Sequence, residues 1–157
     1  MRTAVVLVFL MVTGSALCGC LRAPSSPPAI LSPEPLVLTV EDAGEPWGPG
    51  FFKGLSGRES VEGGMLFDFG ETVTTGFQMR ETLVPLSIAF IAGGGVIVDI
   101  QDMEPLSPQA YLPSFPYRYG LEVNRGYFAR NGIEVGDRAR IERLPDGTAR
   151  ITFIRER

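Results

Sequence analysis

Histidine is absent from this chain of 157 residues, and lysine occurs only at Lys53. Histidine is the usual general base near neutral pH and a common zinc ligand. Its absence excludes a serine–histidine–aspartate triad and a zinc site built on imidazole. The glycine-rich stretch at residues 44–64 lacks the spacing of a phosphate-binding loop, so we predict neither a cofactor nor a bound metal.

Positive charge is too sparse for a nucleic-acid-binding surface. The formal net charge is −4, and the arginines are scattered along the chain rather than gathered in a block. Proteins that bind nucleic acid present clustered lysine and arginine to the phosphate backbone. We therefore predict no nucleic-acid partner.

The two cysteines, Cys18 and Cys20, lie in a segment with the features of a bacterial export signal. Residues 1–19 are predicted to be a signal peptide, because the apolar run at residues 4–12 is too short to span a bilayer. The sequence Leu-Cys-Gly-Cys at residues 17–20 resembles the lipobox of bacterial lipoproteins. That resemblance implies cleavage before Cys20 and lipidation of Cys20. The alternative is an ordinary secretory signal that leaves Cys20 free.

Lipidation would determine both the location and the thiol chemistry of the protein. Each buried CH2 group of an acyl chain contributes about 0.8 kcal/mol, so several chains anchor a protein almost permanently. Residues 20–35 are predicted to be the lipidated Cys20 followed by a tether rich in proline and serine. We expect a protein of the bacterial cell envelope, held on the extracytoplasmic side of the membrane (the periplasmic face in a Gram-negative cell). The mature chain would contain neither a free thiol nor a disulfide.

Alternating apolar residues predict a single, mainly β domain over residues 36–157. The expected fold class is a small antiparallel sandwich or jelly-roll-like barrel with long loops rich in proline and glycine. One short helix is predicted over residues 125–131, capped by Asn124. Strands are predicted at residues 36–41, 64–69, 73–79 and 119–123, and in two hairpins.

The first hairpin turns at the three glycines of residues 93–95. A two-residue loop would place Phe90 opposite Asp99, whereas a three-residue loop places Phe90 opposite Val98. We predict the three-residue loop, because it keeps one face of the hairpin apolar and turns Asp99 and Gln101 to the other face.

The last hairpin turns at residues 145–147, Pro-Asp-Gly, where glycine suits a position with positive φ. A three-residue loop sets Ile141 opposite Ile151. It also sets Glu142 opposite Arg150, a surface ion pair worth less than about 1 kcal/mol.

A run of polar residues interrupts the apolar pattern before the first hairpin. An arginine there could hold a carboxylate or a phosphate in a bidentate grip. The alternative is that Arg80 forms an internal ion pair with Asp99 or Glu122 and orders the turn. The patch that we predict to bind a ligand comprises Met79, Arg80, Glu81, Thr82, Asp99 and Glu122.

A series of glycine and apolar motifs runs along residues 54–141. It includes Gly54-Leu55, Gly64-Met65-Leu66-Phe67, Phe77, Met79-Arg80, Pro85-Leu86, Gly95, Tyr119, Leu121-Glu122 and Gly136-Asp137. In order and spacing these motifs resemble domain-of-unknown-function family 192. The resemblance implies a compact, mainly β sandwich or jelly-roll-like barrel and no particular activity.

The chain departs from this family at several polar positions. Residues 77–82 read Phe-Gln-Met-Arg-Glu-Thr, where the family usually has Phe-Trp-Met-Lys-Asn-Thr. Ser87 and Ala92 replace two aspartates, and two cysteines that many members carry after Met103 are missing. A family site that used those side chains would not be shared by this chain.

These observations favour a non-catalytic binding or accessory domain that meets an envelope protein or glycan. One alternative is a carboxylate-based glycan hydrolase, because paired acids cleave glycosidic bonds without histidine or cysteine. Its candidate acids are Glu81, Asp99, Asp102 and Glu122. The other alternative is a structural subunit of an envelope complex, which would need an exposed apolar patch. The aromatic residues considered for that patch are Phe51, Phe52, Tyr111 and Phe115.

Overall fold

A curled sheet of seven strands dominates residues 34–156, the part of the chain that the computed structural model describes. The predicted signal peptide, Cys20 and nearly all of the predicted tether lie outside the described residues. No helix within residues 34–156 is both long and apolar enough to cross a membrane. In chain order the elements are β1 (Leu36–Asp42), α1 (Pro49–Lys53), β2 (Gly64–Val73), β3 (Phe77–Gln78), β4 (Leu86–Ile91), β5 (Ile97–Met103), β6 (Ala110–Tyr111), β7 (Tyr117–Asn124), α2 (Tyr127–Arg130), β8 (Arg138–Arg143) and β9 (Thr148–Ile154).

The large sheet has the strand order β5-β4-β7-β2-β1-β9-β8, and β3 pairs with β6 apart from it. Neighbouring strands are antiparallel except β1 and β2, which are parallel. Parallel neighbours need a long crossover, and residues 43–63, which include α1, supply it. The predicted mainly β fold is confirmed, with one parallel pair and a second short helix.

The sheet curls until its two edge strands, β5 and β8, approach each other at one end. Val96 forms a bridge with Arg138, and the N–H of Ala139 donates to the carbonyl of Gly95 over 2.7 Å. Residue 95 must be glycine, because its φ is +86° and a Cβ would lie 2.7 Å from the carbonyl oxygen of Ala139. The glycine hairpin therefore connects the two edges as well as reversing the chain.

The central strands bury both faces, so the domain contains two cores. All six residues of β4 are buried, and successive side chains point to opposite faces of the sheet. One core is mainly aliphatic and includes Leu66, Ala89, Ile91, Leu121 and Ile151. The other, the aromatic core, includes Phe51, Phe67, Phe69, Phe90 and Tyr117.

The loop of the first hairpin has the predicted length. The N–H of Gly95 donates to the carbonyl of Ala92, and the N–H of Ala92 donates to the carbonyl of Val96, both over 2.8 Å. These bonds close a loop of three glycines in which Gly95 has the left-handed conformation that the turn requires.

Beyond that loop the register differs from the prediction. Ile91 pairs with Ile97 and Phe90 pairs with Asp99, so Val98 is an extra residue in a β-bulge. The predicted pairing of Phe90 with Val98 is wrong. The bulge reverses the alternation of β5, and Asp99 therefore shares a face with Phe90.

The last hairpin has the predicted register. Ile141 lies opposite Ile151 and Glu142 lies opposite Arg150, whose Nη1 is 3.0 Å from Glu142 Oε2. Here the turn and the apolar pattern agree on one pairing, and no bulge intervenes.

Two local predictions are wrong. Residues 73–79 do not form a strand, because β2 runs on to Val73 and β3 holds only two residues. The second helix starts at Tyr127 with Gly126 as its cap, and not with Asn124. Asn124 still belongs to β7, and its Nδ2 donates to the carbonyl of Val61 over 2.8 Å, which fixes the loop before β2.

Candidate functional site

Glu122 occupies an unusual position for a carboxyl group, in the middle of the large sheet. Its neighbours on the adjacent strands are Met65 and Ile88, both in the aromatic core, so the Glu122 side chain points into that core. The residue is 4% exposed. Within residues 34–156 its carboxyl group forms no hydrogen bond and no ion pair.

The carboxyl oxygens nevertheless reach open space. Among the described residues, no fully enclosed side-chain oxygen or nitrogen lacks a hydrogen-bond partner. Since Glu122 has no partner there, its oxygens contact a cavity of about 350 Å³. We call this space the Glu122 cavity. Besides Glu122, its lining consists of Trp47, Phe51, Phe52, Lys53, Gly54, Leu55, Ser56, Phe67, Phe69, Thr75, Gly76, Phe77, Gln78 and Thr82.

Aromatic rings in edge-to-face contact form much of the cavity wall. The ring centroids of Phe51 and Phe67 are 5.2 Å apart with an interplanar angle of 88°. Trp47 meets Phe69 at 5.1 Å, and Phe67 meets Phe77 at 5.1 Å. Such contacts fix the rings beyond what apolar burial alone provides, so the wall is pre-formed.

Local sequence explains how the rings come together. Phe67 and Phe69 alternate along β2 and share the face of Met65. Gly120 lies opposite Phe67, and a Cβ at residue 120 would be 2.5 Å from Cζ of Phe77. A glycine two residues before Glu122 thus leaves room for the Phe77 ring to cover the sheet beside the carboxyl group.

Trp47 has a strained backbone where it borders the cavity. Its φ is 62°, in the left-handed region that bulky residues rarely adopt. The ring contacts Phe51, Phe52 and Phe69, and the residue is 45% exposed. Strain of this kind persists only where surrounding contacts maintain it, and it is common at binding sites.

Burial controls the charge of Glu122. Removal from water disfavours the carboxylate and raises the pKa of Glu122 from 4.5 to about 8. The group therefore carries its proton at neutral pH and can donate a hydrogen bond. Lys53 is the other ionisable residue in the lining, and it is exposed and forms no ion pair with Glu122.

The structure brings together only part of the predicted ligand patch. Thr82 and Glu122 both line the Glu122 cavity. Met79 is fully buried in the aromatic core, whereas Arg80 and Glu81 are exposed and do not line the cavity. The ligand-binding role of these residues stays a prediction.

Arg80 has a different partner from the one expected. Its Nη2 is 3.5 Å from the carbonyl oxygen of Pro108, and among the described residues it forms no ion pair with Asp99 or Glu122. The predicted internal ion pair is therefore wrong. The backbone carbonyl of Glu81 accepts a hydrogen bond from Gly57 over 2.7 Å, and that bond orders the turn instead.

Asp99 lies on the edge strand and holds the loop that follows it. Its Oδ2 accepts hydrogen bonds from the N–H and hydroxyl of Ser114 and from Nε2 of Gln101, at 2.9, 2.8 and 2.7 Å. Burial raises the pKa of Asp99, but the bonds from Gln101 and Ser114 outweigh it and hold that pKa below its usual value. This pattern indicates a structural carboxylate.

The arrangement limits the alternative chemistries. Glu122 is the one carboxyl residue among the described residues that line its cavity, so the second acid of a glycosidase is not beside it. Within residues 34–156 no group of three or more histidine, cysteine, aspartate or glutamate residues could hold a metal ion.

Of the aromatic patch considered above, Phe51 is buried, whereas Phe52 and Phe115 are 69% and 61% exposed.

The aromatic wall could not be recognised from the sequence alone. Phe67 and Phe69 alternate along the strand predicted at residues 64–69, but nothing in the sequence places their face against Glu122. Alternation with Leu121 and Val123 puts Glu122 on the opposite face of the strand, and in a sheet with one core that face meets solvent. The sequence feature that points to the site is an acidic residue between the apolar residues Leu121 and Val123, two residues after Gly120.

Two solved structures are similar to this chain. One, described by name as a candidate transcription regulator from Sinorhizobium meliloti 1021, is 39% identical, with a TM-score of 0.60, over 64% of this chain and 79% of its own. The other, a protein of unknown function from Novosphingobium aromaticivorans DSM 12444, is 26% identical, with a TM-score of 0.57, over 80% of this chain and 98% of its own. No curated protein matches the chain.

The family comparison covers most of the described domain. Residues 38–141 match the model of DUF192, whose description reads "Uncharacterized ACR, COG1430". The match includes Glu122, Gly120 and all the residues that line the Glu122 cavity. The chain therefore belongs to domain-of-unknown-function family 192.

Proposed function

We propose that this chain is a lipid-anchored protein of the bacterial cell envelope whose β domain binds a small ligand in the Glu122 cavity without transforming it. The observation that carries the binding function is the Glu122 carboxyl group, which is 4% exposed and has no partner among the described residues. A buried polar group without a partner destabilises the folded state. Its presence beside a cavity is therefore best explained by a ligand.

The shape of the cavity supports the same function. A volume of about 350 Å³ lies in the range of small-molecule sites, and such sites combine apolar walls with a few polar groups. Aromatic rings supply the wall here, and Glu122, Thr82, Ser56 and Gln78 supply the polar groups.

The N-terminal sequence supports the anchor. Cys20 is placed where a lipobox cysteine is lipidated, and residues 21–35 are rich in proline and serine. A tether of that composition is extended and would hold the domain away from the membrane.

The name of the Sinorhizobium protein does not lead us to propose transcriptional regulation. This chain has a net charge of −4 and no block of basic residues, whereas affinity for DNA comes largely from lysine and arginine at the phosphates. A second function, as a structural subunit, would use the exposed apolar residues Phe52, Leu112 and Phe115 as its contacts.

Ligand retention tests the binding function. Native mass spectrometry of the full chain, released from membranes in mild detergent, should show a small molecule bound to the protein. The mass of that molecule should not change with time, because the protein does not transform it. Ser56→Trp fills the cavity and should remove it, because Ser56 is part of the lining. Ser60→Trp adds the same side chain at an exposed position outside the lining and should leave the bound mass in place. Equal retention by the two variants would contradict the proposal.

Metabolic labelling with palmitate tests the anchor. Cys20→Ser should abolish the label and release the protein from the membrane fraction. Cys18→Ser is the matched control and should be labelled normally, because Cys18 would leave with the signal peptide. Membrane retention by unlabelled Cys20→Ser would show that the lipid is not the anchor.

A further inference from the structure

No cation of the protein forms an ion pair with Glu122 within residues 34–156. Its neighbours on β2 and β4 are Met65 and Ile88, and the nearby polar lining residues Thr82 and Gln78 are uncharged. Lys53, the other ionisable group in the lining, is exposed and unpaired with Glu122 among the described residues. A negative charge on Glu122 would therefore remain uncompensated until something enters the cavity.

The wall of the cavity favours one sign of charge in whatever enters. Aromatic rings have negative faces, so they attract cations and repel anions. An anion would gain no charge pair with Glu122, whose protonated carboxyl group could offer it only a hydrogen bond. A neutral molecule would gain apolar contact and at most a hydrogen bond. A cation would gain apolar contact, cation–π attraction and a charge pair with the buried carboxylate of Glu122.

Building on the binding function proposed above, we propose that the Glu122 cavity binds a small organic ammonium ion. Its charge pairs with the Glu122 carboxylate, and its alkyl groups contact rings such as Phe67, Phe77 and Trp47. The cavity volume, about 350 Å³, suits an ion of the size of choline with space to spare.

Binding of a permanent cation requires one proton to leave. In the free protein, burial raises the pKa of Glu122 to about 8, so the carboxyl group is protonated at neutral pH. When the ammonium ion binds, the O–H bond of Glu122 breaks and the proton goes to the buffer. The carboxylate and the ammonium ion remain as a neutral pair, and no oxidant or other reactant is needed.

Calorimetric titration with choline and its neutral carbon isostere, in which a tert-butyl group replaces trimethylammonium, tests this inference. Choline does not titrate, so any pH dependence belongs to the protein. We expect choline to bind at least about tenfold more tightly than the isostere. Its affinity should rise by up to about tenfold per pH unit below pH 8 and then level off. Buffers of different ionisation enthalpy should show proton release.

Variants isolate the carboxyl group from the rest of the cavity. Glu122→Gln keeps the shape of the side chain, and it should bind the isostere as before while losing both the preference for choline and the proton release. Glu142→Gln removes an exposed carboxylate and should behave as wild type. Circular dichroism of Glu122→Gln establishes that the variant is folded.

The outcomes separate this inference from the proposed function. If wild type binds both probes equally, the cavity is a binding site but the preference for a cation is overturned. If Glu122→Gln still prefers choline to the isostere, the inference is also overturned, because a group other than the Glu122 carboxylate would then distinguish the charged probe from the neutral one. If neither probe binds, the inference fails, and the mass-spectrometric comparison of Ser56→Trp with Ser60→Trp still decides the proposed function.

Discussion

Asp68 on β2 and Glu122 on β7 are almost equally buried, at 6% and 4% exposure, but their surroundings are opposite. Asp68 accepts hydrogen bonds from Nε and Nη2 of Arg118 at 2.9 and 3.2 Å, and from the N–H of Gly70 at 2.8 Å. Nη2 of Arg143 lies 3.4 Å from Oδ2 of Asp68. Glu122 has no such partner in the described part of the chain.

The two carboxyl groups therefore titrate in opposite directions. Burial raises the pKa of Asp68, but the hydrogen bonds from Arg118 and Gly70 and the charges of Arg118 and Arg143 outweigh burial and bring that pKa below its usual value. At Glu122 burial acts alone and raises the pKa to about 8. Similar solvent exposure with unequal compensation distinguishes an acid that holds the fold together from one that the fold leaves available for a ligand.

The largest expected effect is on the pH dependence of stability, because the pKa of Glu122 is raised on folding. The stability that its protonated form contributes is complete below pH 4.5 and is lost as the pH rises through 8. The wild-type free energy of unfolding should fall by about 1.4 kcal/mol per pH unit between pH 4.5 and 8, about 5 kcal/mol in all. Urea unfolding at several pH values should show this slope, and Glu122→Gln should flatten it. Parallel curves for the two proteins would contradict the assignment.

Gly120→Ala should produce the next largest effect. The new Cβ would lie 2.5 Å from Cζ of Phe77, so the ring must move and the wall beside Glu122 must change. Overpacking of this kind costs about 1–3 kcal/mol. Thermal or urea unfolding measures the loss, and Gly94→Ala is the control because nothing lies within 4 Å of a Cβ there. Equal stability of the two variants would mean that Phe77 adapts freely.

Asp68→Asn should have a smaller effect and the opposite pH dependence. The pKa of Asp68 is lowered on folding, so its stabilisation is present above the unfolded value near 3.8 and is lost as the pH falls through the folded pKa. Both arginines are more than a third exposed, which limits the loss at neutral pH to about 1–2 kcal/mol. Unfolding curves of variant and wild type should converge in acid. A difference that persists there would point to lost shape rather than lost charge.

The smallest effect is expected at the exposed pair of Glu142 and Arg150. The two side chains are 59% and 45% exposed, so water screens them. Glu142→Gln should change the free energy of unfolding by less than about 0.5 kcal/mol. A larger change would show that exposure does not predict how much an ion pair stabilises this sheet. It would also weaken the comparison of Asp68 with Glu122.

Local pattern predicted the parts of the fold that depend on neighbours in sequence. The last hairpin was in register because its turn and its alternation agree, and the glycine loop at residues 93–95 had the expected length. The bulge at Val98 was not predictable in this way. It is supported by contacts distant in sequence, in which Ser114 binds the Asp99 that the bulge turns toward Phe90.

The candidate site depends even more on distant pairing. Glu122 was named from the sequence, but its role depends on Met65, which is its partner across β2 and β7. No periodicity within either strand tells which strand lies beside which. The central strands of the sheet are buried on both faces, so the usual inference that the polar side of an alternating strand meets water does not hold for β7.

The position of Trp47 gives the protein a fluorescent reporter of its own cavity. Trp47 is the only tryptophan in the chain, and its ring lines the Glu122 cavity and touches Phe69. A molecule that enters the cavity replaces water next to the indole and alters its emission. Occupancy can therefore be followed in the unlabelled protein, with no background from a second indole, at concentrations far below those that calorimetry needs.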